Sequence, residues 1–202
     1  INKVTVLGIS SGGPSAVHFA ARHPNRTEAL LLDAAVLLPI APAMNALERM
    51  IFESAIGTWL SCQIAKKRPK LTAVLVVDSL SAGLSKDRKR DAVDWITSNP
   101  ARLHNVADLP TSLAPRRFRE PGQRNDESNE TNLAPLPFED VTAPTLIAQG
   151  TNDAFPLIDH ATHAAEKMHG AELILVDGGH HGLPWCRHIG PVAQRQLELS
   201  LA

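Results

Sequence analysis

The sequence predicts an α/β protein whose mostly parallel sheet is interrupted by a helical insert. Short apolar segments alternate with helical patterns at both ends of the chain, as expected for βαβ units. Between them, the stretch 40–136 has apolar residues at helical spacing. We therefore expect a sheet core formed by 1–39 and 137–202, with 40–136 inserted as packed helices.

The first βαβ unit is expected at the start of the chain. Val4–Leu7 is a short apolar strand, and Ser15–His23 follows with helical periodicity until Pro24 ends it. The next strand, Ala29–Leu32, is apolar at every position, as is typical of a parallel strand covered on both faces, and it ends in Asp33.

The insert shows four helical patterns and one polar stretch. Apolar residues recur at helical spacing over 44–51, 59–64, 71–84 and 86–98. The stretch 115–132 is rich in Arg, Asn, Gly and Pro, so we expect a mobile loop there.

Strand and helix patterns alternate again near the end of the chain. We expect strands at Thr145–Gln149 and Glu172–Val176, with a helix at Ile158–Met168 between them. A closing helix should end near Leu201.

The composition excludes several classes of partner. The 202 residues carry a formal net charge of −1, so no strong field attracts nucleic acid or an anionic membrane. The apolar stretch 29–44 is interrupted by Asp33, Pro39 and Pro42, and no run approaches the length of a membrane span. We expect a small-molecule substrate as the partner, and neither nucleic acid nor a membrane.

The cysteine and histidine spacings favour neither a metal site nor a disulfide scaffold. Cys62 and Cys186 lie far apart without a CxxC pattern, which is compatible with a reducing compartment such as the cytoplasm. His160 and His163 could begin a metal site beside Asp159, but no third ligand at a supporting spacing is apparent. We interpret the histidine pair as a solvated helix start and expect no metal and no cofactor.

The segment GISSG, between the first strand and the first helix, suggests a nucleophile elbow centred on Ser10. Gly8 and Gly12 would leave room for the sharp turn. The alternatives are an ordinary glycine-rich turn or a phosphate loop. A phosphate loop of the Walker type needs a Lys after its last glycine, whereas Gly13 is followed by Pro14.

Candidate catalytic side chains follow each predicted strand. Ser10 comes after the first, Asp33 ends the second, Asp153 follows the third, and His180 and His181 follow the fourth. Because the carboxyl ends of parallel strands meet at one edge, these groups should converge. The chain order Ser, Asp, His is the order that a nucleophile elbow of this type requires.

Three segments together resemble the α/β-hydrolase family over essentially the whole chain. They match the elbow, the acid strand and loop, and the histidine strand and loop of that family, and they read GISSGG, APTLIAQGTNDAFP and AELILVDGGHHGLPW. The resemblance implies an α/β-hydrolase sheet with a helical cap.

The same resemblance implies a role for each site residue. Ser10 is the nucleophile, His180 the general base, and Asp153 the acid that orients the imidazole. The backbone N–H of Ser11 contributes to the oxyanion hole.

Two alternatives remain open for the triad. Some members of the family carry the acid after the preceding strand, which would be Asp33; the fit of the GTND segment to the acid loop favours Asp153. His181 could replace His180 as the base. The family's loop usually reads Gly-His, and Gly179 followed by His180 fits that pattern.

The implied activity is that of a serine hydrolase acting on a small, largely apolar ester or related acyl substrate through an acyl-enzyme. The sequence does not separate a carboxylesterase from a lactonase, a C–C bond hydrolase or a cofactor-free haloperoxidase. A hydrolase-like protein that binds a small apolar ligand without turnover is the alternative from another class.

The elbow lies unusually early in the chain. Members of the family place several strands and an oxyanion loop before it, and nothing of that kind precedes Val4. We expect the family's N-terminal strands to be absent from this sequence or to be supplied by a partner chain, with a rearranged compact fold as the third possibility. In the first two cases Val4–Leu7 would be an open sheet edge that can pair with another chain or self-associate. With one oxyanion donor missing, these residues alone should be a poor catalyst.

Overall fold

In a computed structural model, residues 1–41, 54–112 and 114–201 are described. They contain a four-stranded sheet in the order β1-β2-β3-β4 with every pair parallel. The strands are β1 (Val4–Ile9), β2 (Thr27–Asp33), β3 (Thr145–Gly150) and β4 (Glu172–Val176). The predicted α/β class and parallel sheet are confirmed. The predicted helical segment 44–51 lies outside the described residues.

Helices cover both faces of this sheet. The helices α1 (Gly13–Arg22) and α7 (Ile158–Lys167) connect neighbouring strands. Their small side chains pack on one face, in a cluster that includes Ala16, Val17, Ala20, Leu30, Leu32, Ile147, Ala161 and Ala164. The last helix, α8 (Gly190–Ser200), places Val192 in a second cluster with Ala148 and Val176. Burial on both faces explains why the strands are apolar rather than alternating.

Helices also make up most of the described part of 40–136. They are α2 (Ala55–Lys67), α3 (Pro69–Leu80), α4 (Lys86–Thr97), α5 (Pro100–Ser112) and α6 (Glu120–Thr131). Serine N-caps begin two of them: Ser54 accepts the Gly57 N–H at 3.0 Å, and Ser85 accepts the Arg88 N–H at 3.3 Å.

The polar stretch 115–132 was predicted to be a loop. This prediction is wrong for Glu120–Thr131, which form α6. The helix buries no residue and so carries no hydrophobic periodicity. Side-chain pairs four residues apart stabilise it instead, with Gln123 donating to Glu127 at 3.0 Å and Arg124 paired with Glu120. The polar composition of this segment therefore did not distinguish a solvent-exposed helix from a loop.

The backbone contacts divide the chain into two compact units. One comprises 1–40, 80–83 and 133–202, and the other comprises 41–79 and 84–132. The segment 80–83 lies in the middle of the predicted insert, yet it belongs to the unit that contains the sheet.

The outer strand β1 has no neighbour on its far side among the described residues. Its side chains Leu7 and Ile9 are 50% and 51% exposed. Pairing of this edge with another chain stays a prediction. Within the described part of the chain, each helix is too short or too polar to cross a bilayer.

Candidate active site

Ser10 lies at a strained turn between β1 and α1. Its φ is +50°, in the left-handed region that non-glycine residues rarely occupy. The close approach of the two elements needs a residue without a side chain at Gly8, because a Cβ there would lie 2.7 Å from the Cβ of Ala16. The turn therefore holds the serine in a conformation that the surrounding packing maintains.

The sequence pattern predicted Gly12 as the second glycine that the turn requires. In the structure the position without room for a side chain is Gly13. A Cβ on Gly12 would meet no atom within 4 Å among the described residues. A Cβ on Gly13 would lie 2.8 Å from the carbonyl oxygen of Val36. The constraint comes from the segment after β2, so the GxSxG spacing alone could not indicate it.

The structure brings Ser10, His181 and Asp153 into one hydrogen-bonded chain. His181 Nε2 lies 3.0 Å from Ser10 Oγ. His181 Nδ1 lies 3.1 Å from each carboxylate oxygen of Asp153. With the imidazole proton on Nδ1, the free lone pair of Nε2 faces the serine hydroxyl.

The prediction that His180 lies beside Ser10 is wrong. The His180 side chain is 1% exposed and turns into the loop, where its Nδ1 accepts the Gly182 N–H at 3.1 Å. The backbone N–H of His180 donates to Cys186 Sγ at 3.3 Å. Burial and the neighbouring His181 lower its pKa to about 4. The Gly-His pattern did not reveal which of two adjacent rings points outward.

Asp153 is held by backbone and side-chain donors in a fully buried position. Its Oδ1 accepts the Phe155 N–H at 2.7 Å, and its Oδ2 accepts Gln149 Nε2 at 3.0 Å. Burial raises the pKa of Asp153, while the contacts with His181, Phe155 and Gln149 lower it.

The alternative acid, Asp33, does not take part in this chain of contacts. It is buried at the end of β2, where Gln196 Nε2 donates to both of its carboxylate oxygens at 2.7 and 2.9 Å. Burial raises the pKa of Asp33, and the contact with Gln196 lowers it. The structure thus places Asp153, and not Asp33, against His181.

The two loops that carry Asp153 and His181 approach each other closely. A Cβ on Gly150 would lie 2.4 Å from the carbonyl oxygen of Gly179, so a side chain there would force the loops apart. This contact links the ends of β3 and β4 where the acid and the imidazole emerge.

The segment 80–83 is a further support that the sequence analysis missed. The Leu80 carbonyl accepts the N–H groups of both Ala154 and His181, at 3.2 and 3.1 Å. The Ala82 N–H donates to the Asn152 carbonyl at 2.8 Å. Because these pairings link residues distant in the chain, no local pattern indicated them.

Ser11 lies exposed in the short turn Ser10–Gly12 that leads into α1. Its backbone N–H is one residue beyond the candidate nucleophile, at the start of a helical segment. The oxyanion role assigned to it stays a proposal.

His160 was interpreted as part of a solvated helix start, and this is wrong. Its side chain is buried, and its Nδ1 accepts the N–H groups of Leu37 and Leu38 at 3.0 and 3.2 Å. His163 instead meets the edge of the Phe138 ring. Among the described residues, no group of three or more His, Cys, Asp or Glu side chains is placed to hold a metal ion.

A cavity of about 650 Å³ lies beside α7, away from the triad. Its lining comes from 37–39, 133–140, His163 and Lys167. Ser10, Asp153 and His181 do not line it, so it is not the site where these three groups could meet a substrate.

Comparison with known proteins identifies the fold. No family model matches the chain. An α/β hydrolase fold protein from Nakamurella multipartita superposes with a TM-score of 0.89 at 29% identity, over 99% of this chain and 70% of that one. The chain is an α/β-hydrolase fold protein.

Other α/β-hydrolase fold structures are more distant. The bromoperoxidase from Bacillus anthracis gives a TM-score of 0.59 at 16% identity, over 98% of this chain and 68% of that one. The enol-lactonase from Burkholderia xenovorans gives 0.55 at 17% identity, over 100% and 64%. At these identities the likeness concerns the fold alone.

Two curated relatives are named as hydrolases. The uncharacterized hydrolase YcgS of Bacillus subtilis is 24% identical over 90% of this chain. A 2-hydroxy-6-oxononadienedioate/2-hydroxy-6-oxononatrienedioate hydrolase of Dechloromonas aromatica is 27% identical over 92% of this chain. The chain spans 62% and 58% of the length of these relatives.

Proposed function

We propose that this α/β-hydrolase fold protein is a serine hydrolase with Ser10 as nucleophile, His181 as general base and Asp153 as the orienting acid. The observation that carries the proposal is the continuous contact from Ser10 Oγ through the His181 ring to the Asp153 carboxylate. His181 takes the role of general base that was predicted for His180, because the His180 side chain is buried and its Nδ1 accepts the Gly182 N–H.

The geometry accounts for each proton transfer in such a reaction. His181 Nε2 accepts the Ser10 hydroxyl proton as Oγ attacks the substrate carbonyl carbon. The buried carboxylate of Asp153 stabilises the resulting imidazolium and holds its Nδ1–H in place. The imidazolium then protonates the leaving oxygen, and an acyl group remains on Ser10.

The second half of the reaction uses the same groups in reverse. Water gives a proton to His181 Nε2 as its oxygen attacks the acyl carbon. The proton returns to Ser10 Oγ as the carbon–oxygen bond breaks, and a carboxylic acid leaves. The Ser11 N–H is the oxyanion donor that this chain would contribute, since it follows the nucleophile at the start of a helical turn.

The substrate class in this proposal is a small, largely apolar ester or a related acyl compound. An acyl substrate follows from the proposed chemistry, because an activated serine hydroxyl attacks a carbonyl carbon; the two curated relatives are named as hydrolases. A 2-hydroxy-6-oxo dienedioate or trienedioate of the kind named for the Dechloromonas relative is a finer alternative within the same serine chemistry.

The test compares Ser10→Ala with Ser15→Ala, a control at an exposed serine of α1. The purified protein should hydrolyse a short-chain p-nitrophenyl ester and be labelled by a fluorophosphonate. Ser10→Ala should abolish labelling and lower turnover at least about a thousandfold, whereas Ser15→Ala should retain both. Equal labelling of the two variants would contradict the proposal, and a folded protein that binds esters without labelling would be a binding protein.

A further inference from the structure

Gln149 occupies a position where a polar side chain needs an explanation. It lies in β3 beside three apolar residues of the strand, and it is 1% exposed. A buried amide stabilises a fold only when its donors and acceptors are paired. Its Oε1 has no hydrogen-bond partner among the described residues. An aliphatic side chain would avoid the free-energy cost of burying this unpaired oxygen. Any advantage of the amide must therefore come from the hydrogen bonds of its nitrogen.

Both hydrogens of the Gln149 amide nitrogen are used. Nε2 donates to Asp153 Oδ2 at 3.0 Å and to the Pro156 carbonyl oxygen at 3.1 Å. The reversed amide would direct an oxygen at two acceptors, so the chemistry of the partners fixes its orientation. One side chain therefore joins the acid to the far end of its own loop.

We propose that Gln149 is a positioning residue that holds the Asp153 carboxylate in line with His181 Nδ1. The inference rests on the proposed function, because it assigns Gln149 a part in the same triad. The Phe155 N–H holds Oδ1 and Gln149 holds Oδ2, so the carboxylate is fixed from two directions while both oxygens face the imidazole. A buried carboxylate with one donor fewer would rotate more freely and orient the imidazole less well.

The contact also has an electrostatic consequence. Donation from Gln149 stabilises the ionised carboxylate and lowers the pKa of Asp153 against the opposing effect of burial. Without this donor, the paired Asp153 and His181 should take up a proton at higher pH. The charge of Asp153 also acts on two other titratable groups, His160 and Cys186, and raises the pKa of each.

The test replaces Gln149 by Met, which keeps an unbranched chain and removes the amide. The expected result is a kcat about tenfold to a hundredfold lower with KM nearly unchanged, since the side chain is buried and does not face a substrate. The acidic limb of the pH profile should move to higher pH. A merely structural role would lower the melting temperature and move neither kcat nor this limb, when measured well below that temperature.

Gln196→Met is the matched control. Its amide makes the same kind of contact with a buried carboxylate, but the carboxylate is Asp33 and not Asp153. It should keep the wild-type kcat and pH profile. If Gln149→Met does not fold, Gln149→Glu keeps the shape of the side chain and places a second carboxyl against Asp153, which should move the acidic limb in the same direction.

Wild-type kcat and an unshifted acidic limb in a folded Gln149 variant would overturn the inference, and so would an equal loss in Gln196→Met. The proposed function would survive either result, provided that Ser10→Ala remains inactive. If Ser10→Ala retains turnover or labelling, the proposed function fails first and this inference fails with it.

Discussion

Both carboxylate oxygens of Asp153 lie 3.1 Å from Nδ1 of His181. This symmetrical contact places a negative group on one side of the ring and leaves Nε2 to Ser10. It makes the imidazole a proton acceptor toward the serine, with the charge of its protonated form compensated in a buried site.

The adjacent histidines should respond differently to substitution. We expect His181→Gln to lower ester turnover at least about a thousandfold, because the proposed general base is lost. His180→Asn should stay within a few-fold of the wild type, since an amide oxygen can accept the Gly182 N–H in place of Nδ1. Steady-state kinetics of the two folded variants measure this. A greater loss in His180→Asn would return the base to the position first predicted.

The two buried carboxylates form a second matched pair. Asp153→Asn should lower turnover by about a hundredfold or more, because an amide partner favours the wrong imidazole tautomer. Asp33→Asn should leave turnover nearly unchanged, since Gln196 can still donate to the remaining oxygen. Burial raises the pKa of both carboxyls, so neither variant should lose much stability at neutral pH. Turnover and thermal unfolding of both proteins check this.

Acidification should destabilise the fold through its buried histidines. The pKa of His180 is lowered from 6.5 to about 4. Between these two pH values the unfolded chain binds a proton at this side chain and the folded chain does not. Its contribution to stability should fall as the pH falls through this window, by on the order of 3 kcal/mol. Burial lowers the pKa of His160 as well and adds to the same trend.

Denaturant unfolding of the wild type and of His180→Asn between pH 7 and 4 measures the His180 contribution. The variant should show a shallower decline and keep the part due to His160. Parallel curves for the two proteins would contradict a buried neutral His180.

The glycines of the elbow should differ in their tolerance of alanine. Gly13→Ala places a Cβ 2.8 Å from the Val36 carbonyl oxygen and should cost about 1–3 kcal/mol of unfolding free energy. Gly12→Ala should be neutral or slightly stabilising, because its φ of −75° suits alanine and no described atom lies within 4 Å. Thermal unfolding of both variants decides between them. Equal destabilisation would restore Gly12 to the role that the motif suggested.

The exposed edge of β1 should promote self-association. Leu7→Lys places a charge on this edge and should reduce the concentration-dependent mass measured by sedimentation. Leu197→Lys is the control, since Leu197 is 60% exposed on α8, a helix that packs against β2 and β3. An unchanged mass distribution in Leu7→Lys, or an equal change in both variants, would show that β1 does not mediate association.

Local sequence was sufficient where neighbouring residues decide the conformation. The strand Glu172–Val176 was predicted at its observed limits, because a run of apolar residues between turn residues is a local signal. Ser10 was recognised at a strand-to-helix turn for the same reason. The helix α6 was missed although its stabilising contacts are local, since they are polar pairs four residues apart rather than an apolar stripe.

Local sequence patterns were enough to predict the α/β class, the strand-to-helix turn at Ser10 and a short set of candidate acids and bases. The choice among these candidates depends on contacts between distant segments. His181 and Ser10 are 171 positions apart, and Asp153 is 28 positions from His181, so their contact depends on how β1, β3 and β4 are placed. His180 and His181 share the same local sequence. Which ring reaches Ser10 depends on a loop held by Gly150, Gly179 and the Leu80 carbonyl, and these are contacts between segments that no local pattern contains.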